Sequence, residues 1–343
     1  MDELKLTESQ KTSDTIPNIE ASTWVKDSTT ALVKWIDKPN LPERYKHTHS
    51  WKVRETYENP DNPEQLIIIA TDRVSTHDVV HKTPIQWKWT TLTQISNFWF
   101  DYLKNHEDTK DIPTQIVEPQ SFPSDFPEEL KSKTIIVKKL EALPIEAIVR
   151  WYLYWTALKW YDKESWKLKT WEFIWEWLEK CSEFDEPKFT PSTKEKVWHD
   201  VNVDFDFMVK KLTEHFDWDI EKAQKIATQV RDYSLLMYKT ANEYAISKWM
   251  VIWDTKFEFW LDPQWKLCII DEVLTPDSSR FWSADSVVPW QEPESFDKQY
   301  VRDYVEKESK KLWKKPWDIA LELPEEVVNV TVKKYWKMAN LFN

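Results

Sequence analysis

The chain has 343 residues, a formal net charge of −12, 31% charged residues and 41% hydrophobic residues. That balance describes a soluble globular protein with room for two or three subdomains around a sizeable core. It excludes a general nucleic-acid binder, which carries a basic face, and no apolar run approaches the ~20 residues of a membrane span.

Glycine is absent and tryptophan occurs 24 times, whereas average usage predicts roughly 24 glycines in this length. The positions agree as well as the numbers. Trp51 in THSWKVRE, Trp87 and Trp89 in IQWKWTT, Trp260 in KFEFWLD and Trp265 in DPQWKL occupy turn and loop contexts that call for glycine. The simplest account is wholesale replacement of glycine by tryptophan in an otherwise natural sequence. Cys181 and Cys268 are the only cysteines, too few for a four-ligand zinc site or a disulfide framework, and read as reduced thiols. The polar, acidic N-terminus has neither signal-peptide nor transit-peptide character, so a cytoplasmic location is expected.

In chain order, residues 1 to about 40 are polar and rich in Ser and Thr, the composition of a loosely ordered extension. KVRETYE and the apolar run of QLIIIATDRV predict strands. TLTQISNFWFDYLKNH spaces Leu92, Ile95, Phe98, Trp99 and Tyr102 as a helix does. TIIVKKLEAL and IEAIVRWYLY read as strands joined by a short connection. Residues 162–200, with FTPSTKEK inside, read as a long irregular segment. DIEKAQKIATQVRDYSLLMYKTANEYAISK is the clearest helix. MVIWDTKFEFWLD and KLCIIDEVL form an expected β-hairpin with Trp260 and Trp265 at its turn, where glycine would supply positive φ. The charged C-terminal part reads as helical. The alternation fits an α+β fold rather than regular βαβ units.

Three segments carry candidate chemistry. HSWKVRETYE is a tight loop with Lys52 and Arg54, either facing a phosphate with its backbone N–H groups or a solvated basic turn. ATDRVSTHDVV sets Asp72, Arg73, Ser75, His77 and Asp78 after a buried strand, as a site mouth does and as a self-capping turn also does. The stretch from Ile252 to Trp282 is the densest. Asp254 and Asp271 follow apolar runs, with Glu258 and Glu272 close by, and could converge on one Mg²⁺ that also binds ATP phosphates. Ser278, Ser279 and Arg280 offer hydroxyls and a guanidinium to a phosphate or carboxylate.

Taken together, HSWKVRETYE, ATDRVSTHDVV, KWTTLTQISNFWF, LPIEAIVRWYLYWTALK, FTPSTKEKVWHDVN, DTKFEFWLD and IDEVLTPDSSRFW resemble the SAICAR synthetase family, the phosphoribosylaminoimidazole-succinocarboxamide synthases. The match runs in the family's order. Reading tryptophan as glycine improves it nearly everywhere. Trp99 and Trp282 are exceptions, since the family tends to have an aromatic residue there, which leaves 22 of the 24 tryptophans as replacements.

The resemblance implies ligation of L-aspartate to carboxyaminoimidazole ribonucleotide in purine biosynthesis, consuming ATP with Mg²⁺. It implies a SAICAR-synthetase-like α+β fold with residues 1–44 as extension, 45–140 as a β-rich nucleotide lobe, 141–290 as a substrate and metal lobe, and 291–343 as C-terminal helices. By resemblance, Lys52 and Arg54 lie at the ATP phosphates, and Lys138, Lys139, Leu140 and Glu146 border the adenine. Asp254 and Asp271 look like metal ligands. Ser75, Asp78, Arg150, Thr156, Lys194, His199, Asp200, Ser279 and Arg280 look like substrate contacts. No residue stands out as an obligatory catalytic base. The replaced glycines that bear on these segments are Trp51, Trp87, Trp89, Trp151, Trp155, Trp198 and Trp260.

Bulky residues at such positions cost about 1–3 kcal/mol each through overpacking or strain, and a domain is held by only about 5–15 kcal/mol. The chain as written is therefore expected to fold poorly and to be inactive. Two rival readings are a different ATP-using phosphotransferase on a kinase-like scaffold and a non-catalytic binding protein.

Overall fold

The computed structural model describes residues 39–154, 157–158, 161, 178–194, 201–262, 264–291 and 293–342. Residues Leu41–Asn343 form one unit; the remainder of the N-terminal extension lies outside the described residues.

The first sheet has the order β1-β2-β3-β6, antiparallel throughout. Its strands are β1 (His47–Ser50), β2 (Arg54–Glu58), β3 (Gln65–Ala70) and β6 (Thr134–Lys138). The apolar run of β3 makes it a central strand. Ile67 and Ile69 pack with Tyr57 and Ile136 on one side, under Tyr45, Phe126 and Leu130. Ile68, of opposite parity, lines a groove beneath helix α1 (Lys88–Asn105). Between β3 and α1, β4 (Ser75–Thr76) and β5 (Val79–Val80) make a small hairpin. Its two turn residues, His77 and Asp78, have φ of 49° and 66°, the left-handed pair that matches the twist of flanking strands.

The second sheet is built on two long strands, β7 (Glu141–Tyr152) and β10 (Met250–Leu261). β10 lies between β7 on one edge and both β11 (Leu267–Ile270) and β12 (Ser279–Ser283) on the other. β8 (Glu183–Phe189) and β9 (Ser192–Thr193) pair with the far edge of β7. The irregular segment expected at 162–200 is thus corrected where it is described: EFDEPKF is a sheet strand. Its charged residues masked the signal because Phe184, Pro187, Lys188 and Phe189 are buried while Asp185 and Glu186 are exposed.

Helices α3 (Phe205–His215) and α4 (Ile220–Ser247) cover one face of this sheet. Asp204 and Asp219 cap them by accepting from Phe207 N–H and Lys222 N–H. Ile145, Ala147 and Val149 of β7 and Phe257 and Phe259 of β10 meet Met208, Leu212, Ile226, Val230 and Tyr238 in the main core. α2 (Glu128–Lys131) is a single turn below β6, and α5 (Gln299–Lys311) and α6 (Glu325–Leu341) pack through Val301, Val305 and Val327, with Leu323 just before α6, onto Val74 and Ile85.

One irregularity decides what faces the other side of the sheet. Opposite β12, β10 takes an extra residue: Ile252 pairs with Phe281, and Asp254 with Arg280. The bulge at Trp253 shifts the alternation. Ile252 reaches the core as Phe257 and Phe259 do, and Asp254, Lys256 and Glu258 share the opposite face.

The tryptophans divide by place. Trp99 and Trp282, the two with an expected aromatic ancestry, are fully buried. Among the described residues, six of the twelve with positive φ are tryptophan: Trp87, Trp218, Trp249, Trp265, Trp290 and Trp313. All six side chains are exposed. The cost foreseen from the sequence therefore falls there on backbone conformation, since a Cβ crowds the left-handed region, rather than on core volume. Trp253 is the contrary case, fully buried with an unpartnered indole Nε1. Trp265 occupies the β10–β11 turn with φ of 60°. Trp260, expected at that turn, instead pairs with Cys268 inside the ladder. Both cysteines are free and buried. No helix among the described residues is long and apolar enough to cross a membrane.

Candidate functional site

The face of the second sheet away from α3 and α4 carries a row of charged side chains. Asp254 pairs in register with Arg150, whose Nη1 donates to Asp254 Oδ2 at 2.7 Å and whose Nε donates to Thr190 Oγ1 at 3.0 Å. Arg280 Nε donates to Asp254 Oδ1 at 2.7 Å, and its guanidinium lies 4.0 Å from the centre of the Trp253 ring. Ser279 Oγ and Thr255 Oγ1 are 2.6 Å apart on the opposite face of the same two strands. Arg150 and Asp254 are each 3% exposed as side chains. Burial lowers the Arg150 pKa to about 10, with Asp254 opposing the shift.

Two residues further along β10, Lys256 stands among three carboxylates. Its Nζ bonds Glu258, lies 3.4 Å from Glu146 Oε1 and 3.9 Å from Asp271 Oδ2. Lys194 bonds the other oxygen of Glu258. Burial alone would raise the Glu258 pKa, yet the ammoniums of Lys256 and Lys194 hold it at about 2. The same burial works against charged Lys256, and the carboxylates of Glu258 and Glu146 override it, so its pKa is raised. Arg54, from the first sheet, bonds Asp271 and reaches Glu272 Oε2 at 2.8 Å.

The loop between β1 and β2 borders this cluster. Lys194 Nζ lies 5.6 Å from the Trp51 ring centre. Arg73 gathers the loop's carbonyls, donating to Lys52 O and Trp51 O at 3.0 Å each, and pairs with Glu55 at 2.7 Å. Lys52 pairs with Asp78 of the β4–β5 turn. A cavity of about 40 Å³, lined by Arg54, Trp89, Gln115, Asp271 and Glu272 among others, lies between this region and α1.

Of the residues expected from the sequence, Arg150, Asp254 and Arg280 form one group, and Ser279 pairs with Thr255 on the opposite face. Glu146, Lys194, Asp271 and Arg54 form a second with Lys256, Glu258 and Glu272. Lys52 and Asp78 form a third with Arg73. Ser75 is buried in β4. Lys138, the last residue of β6, and Lys139 and Leu140 after it join none of these groups: Lys138 Nζ bonds Thr114 O at 3.4 Å and Lys139 Nζ is 3.6 Å from Glu58. Trp51, Trp89 and Trp151 sit in loop, helix and strand respectively. Thr156, His199, Asp200, Trp155 and Trp198 lie outside the described residues.

The structure does not bring Asp254 and Asp271 together. Glu258 pairs with Ile270, so Asp271 falls near Phe257, three residues and about 10 Å along the strand from Asp254. Asp254 is also neutralised by two guanidiniums, which oppose a cation. Among the described residues, no three His, Cys, Asp or Glu side chains gather closely enough to hold a metal ion. Glu258 and Asp271 instead share the Lys256 ammonium. Lys256 was missed in the sequence, although the alternation Asp-Thr-Lys-Phe-Glu signals it, with charges on one face and Phe257 on the other. Also missed were Lys298 and Arg302, four apart at the start of α5. Burial lowers the pKa of both, and Arg280 adds to the effect at Arg302.

The α+β frame thus sets an arginine–carboxylate group beside a lysine–carboxylate group on one face of the second sheet. The family model described as SAICAR synthetase matches residues 47–318. The chain belongs to the SAICAR synthetase family. It is 41% identical over 293 residues to the phosphoribosylaminoimidazole-succinocarboxamide synthase of Thioalkalivibrio sulfidiphilus, covering 84% of this chain and 91% of the relative. It is 38% identical to that of Schizosaccharomyces pombe, covering 87% and 94%. Among solved structures, the SAICAR synthase of Saccharomyces cerevisiae complexed with SAICAR superposes with a TM-score of 0.74 at 29% identity, covering 89% of this chain and 97% of the other.

Proposed function

We propose that the site performs the family's reaction, the ATP-dependent joining of L-aspartate to carboxyaminoimidazole ribonucleotide. The single observation that carries this reading is the Arg150–Asp254–Arg280 group. Two guanidiniums share one carboxylate, which leaves net positive charge and spare N–H donors for a phosphate or carboxylate of the substrates.

In this reading the ribonucleotide carboxylate oxygen takes the γ-phosphoryl group of ATP, releasing ADP. The aspartate amine then attacks the carboxyl carbon of the acyl phosphate. The C–N bond forms, the C–O bond to phosphate breaks, and the amine gives up a proton as phosphate leaves. Lys52 and the loop shaped by Arg73 would lie over the ATP phosphates. Lys194 and Lys256 would offset charge that builds on the transferring group. Glu258 and Asp271 would hold Mg²⁺, which supplies Lewis-acid stabilisation of phosphoryl oxygens. Arg150, Ser279 and Arg280 would hold the anionic substrates close enough for the amine to reach the activated carbon.

The chain as written bears indoles on this machinery, Trp51 above all, and we expect little or no turnover from it. The test is ADP release that requires both carboxyaminoimidazole ribonucleotide and aspartate, measured for this chain and for a version with glycine at the 22 positions. Turnover confined to the glycine version supports both statements, and equal turnover overturns the second. ADP release without an aspartate requirement in the glycine version would replace the ligase reading with a phosphotransferase one.

A further inference from the structure

Asp277 lies one residue before the Ser278–Ser279–Arg280 run, and its carboxylate is only 2% exposed. Three helical elements meet on it. Lys88 Nζ, from the first residue of α1 and itself 1% exposed, is 2.7 Å from Oδ2. Lys298 Nζ, at the N-terminal boundary of α5, is 3.4 Å away. The Tyr335 hydroxyl of α6 donates to Oδ1 at 2.6 Å. Burial would raise the Asp277 pKa, but Lys298 and Lys88 hold it well below the usual carboxylate range.

The far end of the run is tied to the same place. Phe281 N–H donates to Asp297 Oδ2 at 3.1 Å, and Ser295 Oγ donates to that oxygen at 2.7 Å. Asp297 Oδ1 accepts from Gln299 N–H at 2.6 Å. The backbone N–H of Lys298 donates to Pro276 O at 3.2 Å. Consecutive residues 297 and 298 thus grip both ends of the segment that holds Ser279 and Arg280. Packing these elements would need only apolar contacts, since a buried ion cluster is often no more stable than a hydrophobic substitute. What the cluster adds is direction: each bond has a fixed partner and angle.

We infer that Asp277, with Lys88, Asp297 and Lys298, is a positioning unit that fixes Ser279 and Arg280 for the anionic substrate and couples them to the docking of the C-terminal helices. This rests on the substrate role proposed above for Ser279 and Arg280. In the full-length chain, Asp277→Asn keeps the shape and removes the charge. Amide hydrogen exchange across residues 275–283 is expected to quicken about tenfold, with exchange in α4 unchanged. Calorimetric affinity for carboxyaminoimidazole ribonucleotide is expected to fall about tenfold, and that for Mg–ATP to hold. The milder Tyr335→Phe, which removes one donor, is expected to give about a threefold loss in the same direction. Unchanged exchange at 275–283, exchange that quickens equally in α4, or equal loss of both affinities would overturn the inference. Arg280→Lys separates the two readings. If it leaves ribonucleotide affinity intact, the substrate role of Arg280 fails; if it weakens that affinity while Asp277→Asn does not, only the positioning unit fails.

Discussion

The two sheets hold ion pairs of the same chemistry in opposite surroundings. At the edge of the first, the side chains of Lys52 and Asp78 are 53% and 50% exposed. On the second, those of Arg150 and Asp254 are each 3% exposed. An exposed pair is screened by water and worth little, so its members can leave one another for a ligand at small cost. A buried pair cannot be parted without leaving an uncompensated charge. The first sheet therefore offers adaptable cations near a loop, and the second supplies a fixed charged frame.

The sharpest way to break this contrast is to remove the shared carboxylate. Asp254→Ala leaves Arg150 and Arg280 facing each other, and stability in urea is expected to fall by about 3–5 kcal/mol. A loss below about 1 kcal/mol would show that the frame is as dispensable as the exposed pairs.

The acid limb of stability tests the lysine–carboxylate group. The folded pKa of Glu258, about 2, lies below its ordinary value of 4.5. Its stabilising contribution is therefore present above 4.5 and is lost as pH falls through about 2. Lys256→Met removes one of the two ammoniums that hold it down. Acid unfolding followed by circular dichroism is expected to begin at higher pH in that variant, and an unmoved acid limb would count against the coupling.

Smaller effects belong to the surface tryptophans. Trp249, with φ of 61°, follows the C-terminal end of α4, and Trp313, with φ of 54°, follows α5. Glycine at either site relieves a left-handed Cβ and is expected to stabilise the chain by about 1–2 kcal/mol, read as a rise in the urea midpoint. No gain at either position would mean that the indole contacts offset the strain. Lys52→Ala closes the series. Stability is expected to change by under about 1 kcal/mol, while affinity for Mg–ATP drops in a titration. A large loss of stability would erase the distinction between the two sheets.

Much of the fold could be read directly. The apolar run of QLIIIA, the helical spacing of α1 and α4, and the hairpin of β10 and β11 are local patterns, and local patterns survive in the order of residues. β8 did not declare itself, because its alternation is broken by Pro187 and by a buried lysine that pairs with Asp185 at 2.8 Å. α3 was missed although Phe205, Met208, Val209 and Leu212 are spaced as a helix spaces them. At the site, residue types were legible and partnerships were not. Asp254 and Asp271 look equivalent in sequence, each an acid after an apolar run, but one is held between two arginines and the other between Arg54 and Lys256.

The sequence by itself determined the family, the α+β class, the strands β2, β3, β6, β7, β10 and β11, and the longer helices α1, α4, α5 and α6. It could do so because periodicity and turn chemistry are properties of neighbouring residues. Only the tertiary structure decided which carboxylate meets which cation. A one-residue bulge at Trp253 sets the facing of everything after it on β10, and the cations that answer those carboxylates arrive from β2, β7, β12 and the segment after β9. Coulombic pairing acts through space, and the chain order that brings such groups within 4 Å is fixed by packing rather than by spacing.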